Sequence, residues 1–315
     1  MCGFITARGY RAAKTRLVSA RAVRDAVLIV AIRRLHEANY GVYGVRKMHA
    51  VMARAGWQVG RDQVARLMRQ AGLQGARRGR RVFTTHPDPG LARPQDLVKR
   101  NFHADGPNRL WVADITYVAT WADIAYVGFV TDVYSRRIVG WSVSSTLKTE
   151  QSTLAALNMA AWQADTDLTG LVCHNDHGSN YLSIRYTDRV AQLGAIPSTG
   201  TVGDSYDNAL AETVNGLYKT ELIWRRRPWR TVEQVELATL EWVWWWNNQR
   251  LHSSLAMTTP TETENTYYHQ YQTTRAATAT RETNQEQNPV RITYTWIDGC
   301  TTRNAATPQS ATSAR

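Results

Sequence analysis

Between Tyr43 and Gln70 apolar residues recur at helical spacing, Val45, Met48, Val51 and Met52 in one run and Val64, Leu67, Met68 and Ala71 in the next, with Gly56 and Gly60 between them. The pattern predicts a helix-turn-helix. Its second helix carries Arg61, Gln63, Arg66 and Arg69 on the polar face, residue types that reach phosphates and base edges in a major groove. Arg46 and Lys47 open the first. From Leu110 the period changes to that of strands: Leu110 to Val118, Ile124 to Thr131 and Arg137 to Val143 are β-rich runs parted by polar breaks. A helix near Thr149 to Gln163, an apolar run Gly170 to His174, a helix near Ser183 to Leu193 and a short run Ala195 to Thr199 come next. Helices from about Asn208 to Leu222 and Thr231 to Asn248 follow. This order, three strands and then helices alternating with strands, predicts a mixed α/β sheet with helices on its faces.

These patterns divide the chain into a basic N-terminal segment (1–30), a small helical DNA-binding domain (31–76), a basic linker (77–105), an α/β core with its C-terminal helix (106–268) and a tail (269–315). The linker holds Arg77, Arg78, Arg80 and Arg81, then Pro87, Pro89 and Pro94. The tail is rich in Thr, Ala, Asn, Gln and Arg, poor in large aliphatics and expected to be disordered, with Val290 to Ile297 as an isolated strand-like alternation.

Composition narrows the class. With 315 residues, 43% hydrophobic and twelve Trp, the chain is neither disordered nor collagen-like, and no apolar run is long enough to cross a membrane. Cys2, Cys173 and Cys300 are far apart, which argues against a disulfide framework or structural zinc and for a reducing cytoplasm. The net charge of +12 is uneven: residues 1–100 hold 21 Lys+Arg against 5 Asp+Glu, and the rest of the chain is mildly acidic. A polyanion-binding module joined to a body with carboxylate chemistry is implied, with nucleic acid as the first candidate partner.

Three carboxylates stand out. Asp114 lies inside the first β-run, where a charge must be functional or expensively buried. Asp176 follows the run that ends in His174, at a strand end opening into a Gly-containing loop. Glu212 lies on a predicted helix whose apolar stripe, Leu210, Val214 and Leu217, leaves Glu212 and Lys219 on the opposite face. Brought to one sheet edge, the three are hard-oxygen ligands suited to Mg²⁺ or Mn²⁺. Tyr181 and Ser179 have no positioned base and are poor nucleophile candidates, and His177 has no assigned role. Arg225, Arg226, Arg227 and Arg230 flank Pro228 and Trp229, either to grip DNA or as a solvated cluster, whereas Trp242, Trp245 and Trp246 share a face with Val235 and Thr239 and are expected in the core.

Thirty-five residues separate Asp176 from Glu212. With Asp114, the segments His174-Asn-Asp-His-Gly-Ser-Asn-Tyr181 and Asp204-Ser-Tyr-Asp-Asn-Ala-Leu-Ala-Glu212, Tyr40 to Lys47, Asp132 to Trp141 and Asn247 to His252, the chain resembles the second-reading-frame transposases of bacterial insertion sequences. The resemblance runs from about Arg33 to Tyr268. It implies a ribonuclease-H-like, retroviral-integrase-like core in which Asp114, Asp176 and Glu212 form the catalytic D,D(35)E triad, with Lys219 contacting DNA. It also implies two Mg²⁺ ions about 4 Å apart, Mn²⁺ able to substitute, insertion-sequence ends and target DNA as partners, a homo-oligomer at the nucleoid, and a first-reading-frame protein as partner or fusion. Strand cutting and joining is the expected activity. A metal-dependent nuclease on the same fold, and an inactive DNA-binding remnant, stay open as alternatives.

Overall fold

The computed structural model describes residues 6–15, 18–77, 96–98, 101–176, 180–181, 183–199 and 208–286. Arg78, Arg80, Arg81, Pro87, Pro89, Pro94, His177, Ser179, Asp204 to Asp207, Val290 to Ile297, Cys2 and Cys300 lie outside the described residues.

Four helices come first: α1 (Ala7–Thr15), α2 (Ala20–Ala38), α3 (Val45–Arg54) and α4 (Arg61–Gln70). The last two are the helix-turn-helix pair. The long α2 falls largely in the segment read from sequence as a basic extension, and it begins before the expected start of the helical domain. Ser19 caps it, its Oγ accepting from Ala22 N at 3.2 Å. Its buried positions are Asp25, Leu28, Ile32 and His36, so two polar residues interrupt the stripe and hide its period. Those two are satisfied from the neighbouring helix and turn: Arg66 grips both Asp25 oxygens at 2.8 and 2.9 Å, and His36 Nε2 lies 3.2 Å from Gln74 O.

The strands β1 (Leu110–Ala119), β2 (Ile124–Asp132) and β3 (Ile138–Ser144) form an antiparallel meander. Helix α5 (Thr153–Ala164), strand β4 (Val172–Asn175), helix α6 (Ile184–Gln192) and strand β5 (Ile196–Thr199) follow. The sheet order is β3-β2-β1-β4-β5, with β4 parallel to β1 and β5 parallel to β4. Helix α7 (Ala209–Tyr218) runs into a wide π-helical turn at Lys219–Ile223, a short helix α8 (Trp224–Arg226), helix α9 (Val232–Asn248) and finally helix α10 (Pro260–Glu286). Helix α10 continues past Gln270, where composition argued for disorder. No helix among the described residues is long and apolar enough to cross a membrane.

Alternation along the strands builds two cores. Trp111, Ala113, Val130 and Val139 pack with Leu157 and Ala160 of α5 and Tyr186 and Val190 of α6. On the other face Val118, Val127, Phe129 and Ile138 meet Val214 and Tyr218 of α7 and the buried Trp242, Trp245 and Trp246 of α9. Leu28, Ile32, Met48, Met52 and Leu67 of the N-terminal helices belong to that second cluster. The helical module is therefore fused to the sheet's hydrophobic core. Asp132 ties the β2–β3 turn, accepting from Ser135 N at 2.7 Å and Asn108 N at 2.8 Å.

Candidate active site

Strand β4 pairs with β1 only as far as Ala113, opposite Asn175. Asp114 is the next residue of β1 and Asp176 the first residue past the end of β4, so both follow the last paired positions, where the strands part. Asp114 still pairs with Phe129 on the β2 side. Its backbone is thus held while its other edge opens.

Helix α7 covers this edge. Asn208, which precedes its first turn, donates from Nδ2 to Ala113 O at 3.1 Å, and Asn215 donates from Nδ2 to Asp114 Oδ2 at 2.9 Å. At 100° per residue, positions 208, 212 and 215 fall on one face, so the two bonds aim Glu212 at the same strand end. Asp114 Oδ1 accepts from Ile115 N at 2.8 Å. Desolvation, then the charge of Asp176 and that of Glu212, push the Asp114 carboxyl well above the usual carboxylate range, against the pull of the Ile115 and Asn215 hydrogen bonds. The three sequence-predicted carboxylates therefore share one electrostatic site. Among the described residues no three His, Cys, Asp or Glu side chains close into a metal cage.

Helix α7 is turned relative to the stripe read from sequence. The buried face of α7 is Ala211, Val214, Asn215 and Tyr218, turned from the expected Leu210, Val214 and Leu217 stripe, because the two asparagines serve β1. Lys219 stands at the start of the wide turn, half-buried rather than solvated. Its ammonium lies 4.6 Å from the Tyr117 ring centre. Burial lowers its pKa while Tyr117 and Asp114 pull it back up.

Asn208 and Asn215 were missed as site residues. The spacing of the asparagines around Glu212 was the available signal. Both are buried, and among the described residues their Oδ1 atoms have no hydrogen-bond donor. Tyr181 is buried against Tyr186, ring centres 5.3 Å apart. Burial, then Asp114 and Asp176, raise its phenol well above the ordinary tyrosine value, so it stays protonated and is no nucleophile. Cys173 is buried, its thiol pushed up to about 12.

The predicted DNA-contacting cations part company. Arg46, Arg61 and Arg69 are exposed. Arg66 is committed to Asp25. Lys47 lies half-buried, 5.2 Å from the Tyr43 ring centre, its pKa lowered to about 7 by desolvation and then by Arg250, with Glu221 acting the other way. Of the later cluster, Arg225 donates to Gly41 O at 3.0 Å and Arg226 pairs with Glu241 at 3.1 Å, joining the helical module and α9, while Arg230 lies against Trp121.

A carboxylate-bearing mixed sheet with a helix-turn-helix fused to it defines a ribonuclease-H-like, integrase-type core with a DNA-binding module. The HTH-like domain family matches residues 22–81, and two integrase core domain families match residues 104–205 and 193–260. A Mycobacterium tuberculosis protein described as a transposase for insertion sequence element IS986/IS6110 is 52% identical over 258 residues, 81% of this chain and 92% of the relative. The transposase for insertion sequence element IS629 of Shigella sonnei is 48% identical over 250 residues, 79% of this chain and 83% of that one. The HTLV-2 integrase catalytic core domain, solved in complex with magnesium, overlaps 51% of this chain and 99% of its own at 17% identity and a TM-score of 0.40. The chain belongs to the insertion-sequence transposases, catalysts of DNA transposition.

Proposed function

We propose that this chain cuts the ends of an insertion sequence and joins them to target DNA, with Asp114, Asp176 and Glu212 as its catalytic carboxylates and divalent-metal ligands. The observation that carries this reading is the convergence of the Asp176 and Glu212 charges on Asp114 at the point where β1 and β4 part, adding to the burial that first raises its carboxyl. Like charges so placed favour a cation between them, and an all-oxygen donor set selects Mg²⁺ or Mn²⁺ over zinc. The orphaned Asn208 and Asn215 oxygens beside Ala113 and Asp114 suit donors from a hydrated ion. Asp114, Asp176 and Glu212 would hold such ions, which would supply activation of the attacking oxygen and stabilisation of the leaving one in an in-line displacement at phosphorus.

The chain's own groups supply the rest. Asn215 fixes the Asp114 side chain, Asn208 anchors α7 to β1, and Lys219 holds a phosphate of the strand being processed. The exposed Arg46, Arg61 and Arg69 contact duplex DNA, with steep salt dependence, while Arg66 holds Asp25 and Lys47 lies half-buried against the Tyr43 ring. Paired ends call for a homo-oligomer.

The test is a joining assay with oligonucleotides carrying the element's terminal repeats and a free 3′-hydroxyl. Asp176→Asn and Glu212→Gln each lose Mg²⁺-dependent cleavage and joining by at least about a thousandfold, with DNA affinity and melting temperature nearly unchanged. Joining retained by either variant overturns the triad, and hydrolysis without joining by the wild type selects a nuclease.

A further inference from the structure

Two exposed aromatic rings lie along β1 beyond the carboxylates, and each carries a cation. Tyr117 stands three residues past Asp114, half-exposed, under Lys219. Trp121, at the β1–β2 hairpin tip, is 70% exposed, with the Arg230 guanidinium 5.5 Å from its ring centre. A strand rise of about 3.3 Å per residue sets Tyr117 about 10 Å from Asp114 and the tip about 20 Å away.

The tip is braced. Thr120 N donates to Asp123 O at 2.9 Å, and the Asp123 carboxylate turns back to accept from Ile124 N at 2.7 Å. Trp121 N donates to Trp229 O at 3.0 Å and Ala122 N to Arg230 O at 3.1 Å, while the buried Trp229 anchors its indole on Ile223 O at 3.0 Å. The backbone thus holds ring and cation together in solvent. Lone exposed aromatics need no explanation, but two cation-bearing rings on the same hairpin that carries Asp114 do.

We propose that Tyr117, Lys219, Trp121 and Arg230 form a track for an unpaired DNA strand leaving the active site, with a base stacked on Trp121 and phosphates on Lys219 and Arg230. Interleaved aromatic faces and cations suit single-stranded nucleic acid, because an unpaired strand presents base faces and phosphates together. A duplex hides its base faces. The proposal rests on the transposition reading above and adds to it the strand that is frayed during the reaction.

The full chain is tested on a blunt terminal-repeat duplex and on the same duplex with a short unpaired extension. Trp121→Ala is expected to weaken binding of the extended DNA about tenfold and to leave the blunt duplex unchanged. Trp121→Phe restores most of the loss, Arg230→Gln shows a smaller one, and 5-iododeoxyuridine in the extension photocrosslinks to Trp121. Equal losses on both probes would assign the patch to duplex phosphates and overturn the track. Wild-type binding by Trp121→Ala with normal joining would overturn it while leaving the catalytic reading intact. An extension preference that depends on Trp121 in a protein unable to cleave or join supports the track and removes the catalytic reading instead. A Trp121→Ala protein that sediments as a smaller species would make the patch a contact between copies, and overturn the proposal.

Discussion

At Lys47 the chain keeps an ammonium half-buried between the Tyr43 ring and Arg250, its pKa near 7. Sequence placed this lysine among the DNA-contacting cations, because a Lys beside Arg46 on a polar helix start gives no sign of the Tyr43 ring and the Arg250 charge that neighbour it. In the unfolded chain Lys47 holds its proton to about pH 10.5, so between pH 7 and that value the unfolded state binds more protons and stability rises with pH. Below pH 7 both states are charged and the full burial cost is present. Lys47→Met is therefore expected to stabilise at pH 6 by on the order of 1 kcal/mol, raising Tm by about 2–4 °C, with the gain fading toward pH 10. Calorimetry at the two pH values reads this directly, and a pH-independent gain would show that the ammonium is not desolvated. The candidate carboxylates were more legible. Asp114 stood out as a charge in an apolar strand, whereas Asn208 and Asn215 did not, since an asparagine beside a helical glutamate is usually solvated and only β1's carbonyl and carboxylate give these two a function.

Elements with an unbroken period were readable in order and type. The five strands and α5, α6 and α9 fall within a few residues of their expected ranges. Helix α2 was not readable, because Asp25 and His36 occupy its buried stripe and Val23, Val27 and Val30 its exposed side. Helix α7 was readable as a helix but not in phase, since its buried face is part amide and its end widens into the π turn. Another element property visible only in three dimensions is the approach of β3 to α5 at Gly140. A Cβ there would run into the Ala156 carbonyl oxygen and come within 2.8 Å of Ala160 Cβ. The glycine and the small α5 residues let helix and strand seat closely. Gly140→Ala is expected to cost about 1–3 kcal/mol through overpacking, measured as a lower denaturant midpoint with unchanged slope. Wild-type stability would mean that α5 shifts freely on the sheet.

At the scale of the whole molecule, the basic N-terminal third is not an appendage on a tether. Tyr43 Oη accepts from Leu251 N at 2.7 Å, Trp245 Nε1 donates to Asn39 Oδ1 at 3.2 Å, Arg54 grips Glu262 at 2.8 and 2.9 Å, and Arg225 reaches Gly41 O. These bonds ring an apolar interface in which Trp245 is fully buried beside Tyr40 and Tyr43, ring centres 4.8 and 6.2 Å away. A module that shares its core with α9 has no complete core of its own. Helices α2 to α4 and the catalytic sheet are therefore expected to unfold in one transition, so that DNA seated on the helical pair is held in a fixed relation to Asp114. Trp245→Ala opens a cavity at that junction and is expected to cost about 3–5 kcal/mol, with exchange protection lost in α3 and in α9 together. Residues 18–77 expressed alone are expected to keep helical far-ultraviolet dichroism without a cooperative melt. A sharp thermal transition for that fragment, or Trp245→Ala unfolding of α9 that spares α3, would separate the two parts and break the mechanical link between DNA recognition and the carboxylates.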